Sequence, residues 1–135
     1  MLTMPRMSDR FTFPFYLRAY LALIWVDIQL WARGFVGVHA RIKILAPRRV
    51  NSGTRTSEAI CRTVDVACVF YFKEVLCLQR AAVTTALLRE NGFPAEMVIG
   101  VHQWPFRAHA WVEVEGRIAN DRPYLREIYQ VMDRC

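Results

Sequence analysis

The chain has 135 residues, 54% of them apolar and 22% charged, with a formal net charge of +6. That length suits one domain around a single core, and that composition excludes a disordered or low-complexity chain. The charge is uneven: residues 1–56 hold nine Arg/Lys against two Asp, net +7, while residues 57–135 hold nine against ten acids, net −1.

The opening "MLTMPRMSDRF" lacks the apolar core and small-residue cleavage site of a secretory signal. Residues 13–33, "FPFYLRAYLALIWVDIQLWAR", predict a helix apolar almost all round, with Pro14 suited to its first turn. A membrane span needs about 20 uncharged residues. Arg18 and Asp27 leave Ala19–Val26 as the longest clean run, which is too short. The segment therefore reads as a core helix or a partner-binding helix, with peripheral membrane contact ranked third. From Arg33 to Arg55 there are six positive residues and no acid. That patch is either a solvated basic loop or a surface for an acidic peptide, an acidic partner or a phosphate-bearing surface. It is not interleaved with exposed aromatics and carries no nucleic-acid motif, so nucleic acid is not expected as a partner.

"APRRVNSGTRTS", 46–57, predicts a loop, after which Thr56 or Ser57 can N-cap a helix running to about Phe72. Cys61 and Cys68, seven apart, share one face of that helix and read as small buried thiols. With Cys77 and Cys135 they form no CxxC pair, which fits a reduced, cytoplasmic setting; neither a zinc site nor any other metal or cofactor is expected.

"CLQRAAVTTALLRENG" predicts a helix from about Cys77 to Glu90, stopped by Asn91-Gly92. "AEMVIGVHQ" and "AHAWVEV" predict strands joined by a loop containing Pro105. Glu115-Gly116 makes a tight turn into a short "RIA" strand, and Pro123 opens a final helix, "PYLREIYQVMDR". The order gives an α+β fold with a small antiparallel sheet and a helical, basic N-terminal region over 1–56. That region is either part of the same unit or a docking segment.

Three residues carry candidate chemistry. Cys77 stands at a helix start, where unpaired amides and the dipole favour a thiolate and can hold an oxyanion. His109 opens a strand on which His109, Trp111 and Glu113 point one way and Ala110, Val112 and Val114 the other. The Ala/Val face suits the core, leaving the His109 face to be covered by the Cys77 helix. Asp121 follows the turn, where its carboxylate can bond Nδ1–H of His109 and leave Nε2 to take the thiol proton. Asp121 also suits a helix N-cap before Pro123, and Asn120 is the second candidate orienter. His102 reads as structural or rim. Trp104, Phe106 and Trp111 are candidates for a substrate groove, against the plainer reading of core or rim aromatics.

"CLQRAAVTTALLRENGFPAEMVIGV" and "PFRAHAWVEVEGRIAND", spanning Cys77 to Asp121, resemble the transglutaminase-like cysteine peptidases of lasso-peptide biosynthesis. That family pairs a "CL-x-R/Q" helix start with "G-x-P-A-x-x-x-x-G-V", "HAWVE" and a terminal "N-D/E". The resemblance covers about 45 of the 135 residues. It implies a papain-like, transglutaminase-type core over 57–135, with Cys77 as nucleophile, His109 as general base and acid, and Asp121 as orienter. It implies a bacterial leader peptidase of the stand-alone form acting on a precursor peptide of leader plus core. A separate leader-recognition protein would deliver the leader, and an ATP-dependent macrolactam-forming cyclase would close the freed core. The same three residues would also serve transglutaminase-type acyl transfer to an amine. A non-catalytic peptide-binding scaffold is the third reading.

Overall fold

The computed structural model describes residues 13–47 and 55–135; the first twelve residues and the centre of the loop expected over 46–57 lie outside them. The chain runs α1 (Phe13–Ile44), α2 (Ser57–Val69), α3 (Cys77–Glu90), β1 (Ala95–His102), β2 (Arg107–Val114), β3 (Arg117–Ile118), α4 (Leu125–Ile128) and β4 (Gln130–Arg134). The strands form one antiparallel sheet in the order β3-β2-β1-β4, so the architecture is α+β.

α1 outlasts the helix expected over 13–33. Gly34 breaks it with a left-handed φ of 67°, which costs glycine nothing, and a second helical stretch runs on to Ile44. That stretch folds back far enough to set the Arg41 guanidinium 5.8 Å from the Trp25 ring. Phe15, Ala19, Leu23, Val26, Val38 and Ile42 face one core shared with α2, α3 and the sheet. Polar ties fix the same packing. Buried Gln79 donates to the Leu23 carbonyl at 3.1 Å, and Arg89 caps the end of α1 at Ile42 and Leu45 while bonding Ala95.

Local signals set the ends of the elements. Thr56 N-caps α2 through the Ala59 amide, and α2 stops at Val69, short of the expected Phe72. α3 closes on a Schellman pair, Phe93 N to Leu88 O and Gly92 N to Arg89 O, with Gly92 at φ 87°. Glu115 and Gly116 both take positive φ, as the two-residue turn between β2 and β3 requires.

The C-terminal helix expected over "PYLREIYQVMDR" is corrected. Only Leu125–Ile128 is helical; Gln130–Arg134 is β4, paired with β1 through Gly100–Val131 and its neighbours. Cys135 extends the pairing with bonds of 2.8 and 3.0 Å to Met97. The open edge of β1 supplies a row of backbone partners, and that outweighs the helical spacing of Leu125, Ile128, Tyr129 and Met132.

The covering of the sheet is corrected too. Ala110 and Val112 pack in the core with α3, as the alternation predicts. The opposite face is covered by the C-terminal segment, not by the Cys77 helix: Trp111 and Val98 cluster with Leu125, Tyr129 and Val131.

Candidate active site

Cys77 is the first residue of α3 and is partly exposed. The preceding N-cap, Leu76, is extended and makes no side-chain cap hydrogen bond, so among the described residues the first amides have no capping side chain. Such a terminus stabilises negative charge on a nearby atom. Cys61 and Cys68 sit in a different environment. Burial pushes the Cys61 thiol up to about 12 and the Cys68 thiol to about 11, which keeps both protonated and unreactive. All four cysteines are unpaired.

His109 is the third residue of β2, opposite Gly100. A Cβ on Gly100 would stand 2.6 Å from the Trp111 ring and 2.9 Å from Tyr129, so glycine is what lets both rings close on this point. The imidazole stacks against Tyr129 at 5.5 Å and Trp111 at 6.1 Å. Tyr129 was not expected here, because it lies in the segment whose spacing resembles a helix.

His109 Nε2 and Asp121 Oδ2 are 2.7 Å apart, and both side chains are largely shielded from solvent. The pairing expected from the sequence is present, but on the other ring nitrogen. The carboxylate takes Nε2, so Nδ1 is the nitrogen left for proton exchange. Asp121 does not cap a helix. Its Oδ1 accepts from the Arg122 amide at 2.8 Å, and α4 begins only at Leu125, without a side-chain cap. Asn120 makes a different bond: its Oδ1 accepts from Val112 N at 2.8 Å, closing the strand edge.

Arg80, one turn after Cys77, joins the two halves. Its Nη2 donates to the Asn120 carbonyl at 2.6 Å and its Nε to Asp65 on α2 at 2.8 Å. Burial works against its charge, but the Asp65 hydrogen bond and the Asp65 and Asp121 carboxylates outweigh that, so its pKa lies above the usual arginine value. The sequence offered Arg80 only as a letter in a helix start. Its partner lies 40 residues away, beyond any local pattern. No hydrogen bond links Cys77 Sγ to His109 among the described residues. The nucleophile candidate and the His–Asp pair are tied through Arg80 instead.

A cleft of about 380 Å³ opens beside the pair, between Glu58, Arg62 and Asp65 of α2 and Ala119–Asp121. Of the three aromatics considered for a groove, Trp111 is fully buried and belongs to the core. Trp104 and Phe106 are exposed on the β1–β2 loop. His102 serves that loop, donating from Nδ1 to the Pro105 carbonyl at 3.0 Å. His39 pairs with Asp133 across α1 and β4 at 2.5 Å.

Arg80→Met should lower stability by about 1–3 kcal/mol, because the Asn120 carbonyl loses its donor and Asp65 its partner. Urea unfolding reads this directly, and an unchanged midpoint would show that the Arg80 link does not hold the two halves.

The sequence pattern of the transglutaminase-like superfamily matches residues 21–134, most of the chain. The chain belongs to the transglutaminase-like superfamily. The match begins within α1 and runs through β4. Over 56 residues the chain is 38% identical to the microcin J25-processing protein McjB of Escherichia coli, a stretch covering 42% of this chain and 27% of that protein. The match thus spans about a quarter of that relative's length. No solved structure matches the chain.

Proposed function

We propose that this superfamily member is a cysteine peptidase that removes the leader from a lasso-peptide precursor, with Cys77, His109 and Asp121 as its catalytic residues. The observation that carries the reading is the His109–Asp121 pair, coupled through Arg80 to the uncapped helix start that bears Cys77. Likeness to a microcin-processing protein supports the substrate class.

In this mechanism Cys77 Sγ attacks the carbonyl at the leader–core junction as its proton passes to Nδ1 of His109. The first amides of α3 receive the developing oxyanion. Asp121 holds Nε2–H, which fixes the tautomer and stabilises the imidazolium. His109 then returns the proton to the leaving amine of the core. A thioester of the leader remains, and water, deprotonated by His109, hydrolyses it to free leader and restore the thiol. The reaction needs no cofactor. The reading includes cytoplasmic action and delivery of the leader by a separate recognition protein.

The test combines the protein, a candidate recognition protein and the precursor peptide, followed by mass spectrometry. Freed leader with an intact core is expected, and an added amine should give no adduct; an amine adduct would instead assign acyl transfer. Cys77→Ala should cut the rate by more than about 10³-fold. Cleavage that survives this change removes Cys77 from the mechanism.

A further inference from the structure

α1 is apolar on two sides, and among the described residues only one of them is packed in the core. Ala19, Leu23 and Val26 fill the core, while Leu17, Leu21, Trp25, Ile28, Trp31 and Phe35 are exposed, Trp31 at 89%. The spacings of four, four, three and three from Leu17 to Trp31 place those five along one outward stripe, and Phe35 lies beyond the break at Gly34. Two of the charged residues of this half are held by partners: Arg18 binds Glu90, and Asp27 is held by Lys73 at 2.6 Å and by Tyr71 at 3.0 Å. No acidic side chain lies on the stripe.

Glu90, in the cleft lined by Leu21 and Trp25, is paired with Arg18, and the other charges beside the stripe are positive. The turn at Gly34 brings Arg41 back over Trp25, and Arg33 and Lys43 are exposed on the same element. These three belong to the run of six positive residues without an acid between Arg33 and Arg55. α1 is long and apolar enough by composition to cross a membrane. Its inward side is already committed to the protein core, however, so lipid can take only the outward side.

We propose that the outward face of α1 docks on an anionic lipid surface, with Trp25, Ile28 and Trp31 entering the headgroup boundary and Arg33, Arg41 and Lys43 facing lipid phosphates. Exposed tryptophans flanked by cations match the two properties of that boundary, an apolar interior and a negative surface. A second copy of the chain matches less well, because two-fold pairing of this face would set its cations against their own copies. Docking here does not depend on peptidase activity and would set α1 at the membrane surface.

The test is co-sedimentation of the full chain with phosphatidylcholine vesicles, with and without about one-third phosphatidylglycerol. Binding should be roughly tenfold stronger to the anionic vesicles and should weaken as salt rises from about 0.1 to about 1 M, while tryptophan emission shifts to the blue. Ile28→Asp with Trp31→Asp should abolish binding and leave the circular dichroism spectrum unchanged, both side chains being solvent-exposed. Arg33→Glu, which leaves the stripe intact, should remove the preference for anionic lipid. No binding to either vesicle, or binding indifferent to both sets of substitutions, overturns the proposal. So does a concentration-dependent dimer in light scattering that the aspartates dissolve, which would give the face to a second copy.

Discussion

Asp121→Ala is expected to lower kcat for leader removal by about 10²- to 10⁴-fold while leaving the fold intact. The carboxylate divides its two oxygens. Oδ1 serves the Arg122 amide, a local contact on the surface, while Oδ2 serves His109 Nε2 at 2.7 Å. Without it the imidazole has no partner fixing which nitrogen carries the proton, and Nδ1 is the base only part of the time. The imidazolium formed during attack also loses its counter-charge. Asp121→Asn should lose less, because an amide oxygen still accepts from Nε2–H. Asn120→Ala provides the contrast. Asn120 satisfies the buried Val112 amide, so its loss should cost about 1–3 kcal/mol of stability and leave the rate per folded molecule nearly unchanged. Single-turnover cleavage and urea unfolding on the same three variants separate the two roles. If Asn120→Ala loses more rate than Asp121→Ala, the orienter is Asn120 and the assignment here is reversed.

How far the site was legible follows from which signals are local. The start of α3 at Cys77 and its end at Glu90 could be read because Asn91-Gly92 is a chemical stop, and the β2–β3 turn because Glu115-Gly116 suits positive φ. The His109–Asp121 pair followed from that turn, since a two-residue hairpin returns the chain to the strand it left. Which imidazole nitrogen meets the carboxylate did not follow. It depends on the imidazole's rotamer in the folded site, where the ring is stacked by Trp111 and by Tyr129, the residue that leads into β4. β4 itself was hidden. Leu125, Ile128, Tyr129 and Met132 fall at helical intervals, and what overrides them is the unpaired edge of β1, which exists only once the sheet is built. The same gap explains Trp111. Alternation places it on the His109 face, but that it is buried there depends on a cover supplied by Leu125, Tyr129 and Val131. Arg80 and Glu113 share one reason for escaping notice: each is a charged residue whose oppositely charged partners are remote in sequence.

Glu113→Leu should strongly lower stability, because this carboxylate organises the face of the sheet that carries His109. Its side chain is 1% exposed, yet it is ionised and fully bonded. Trp111 Nε1 donates to Oε2 at 2.9 Å, Arg126 reaches both oxygens, and Arg134 donates to Oε1 at 2.9 Å. Those arginines belong to α4 and β4, so one acid pins the whole C-terminal cover, including Tyr129, over the sheet. Burial alone would raise the carboxyl pKa; the hydrogen bonds from Arg126, Arg134 and Trp111 outweigh it and hold Glu113 below the usual glutamate range. Arg126 and Arg134 are 44% and 41% exposed, so water can rehydrate them when the acid is removed, and the cost is smaller than for a fully buried pair. A loss of about 2–4 kcal/mol is expected for Glu113→Leu, a fall in Tm of roughly 10 °C. Glu113→Gln keeps an acceptor for the Trp111 indole and should lose about half as much. The pH dependence has a fixed sign. A carboxyl whose pKa is depressed by folding contributes its stability fully above the unfolded glutamate value of about 4.3, and loses it as pH falls through the lower folded value. The gap between wild type and Glu113→Gln should therefore be constant near neutral pH and close in acid. Thermal unfolding of the three proteins from neutral pH to about pH 3 measures it. A gap that stays open in acid would mean that shape, not charge, holds the C-terminal segment over His109.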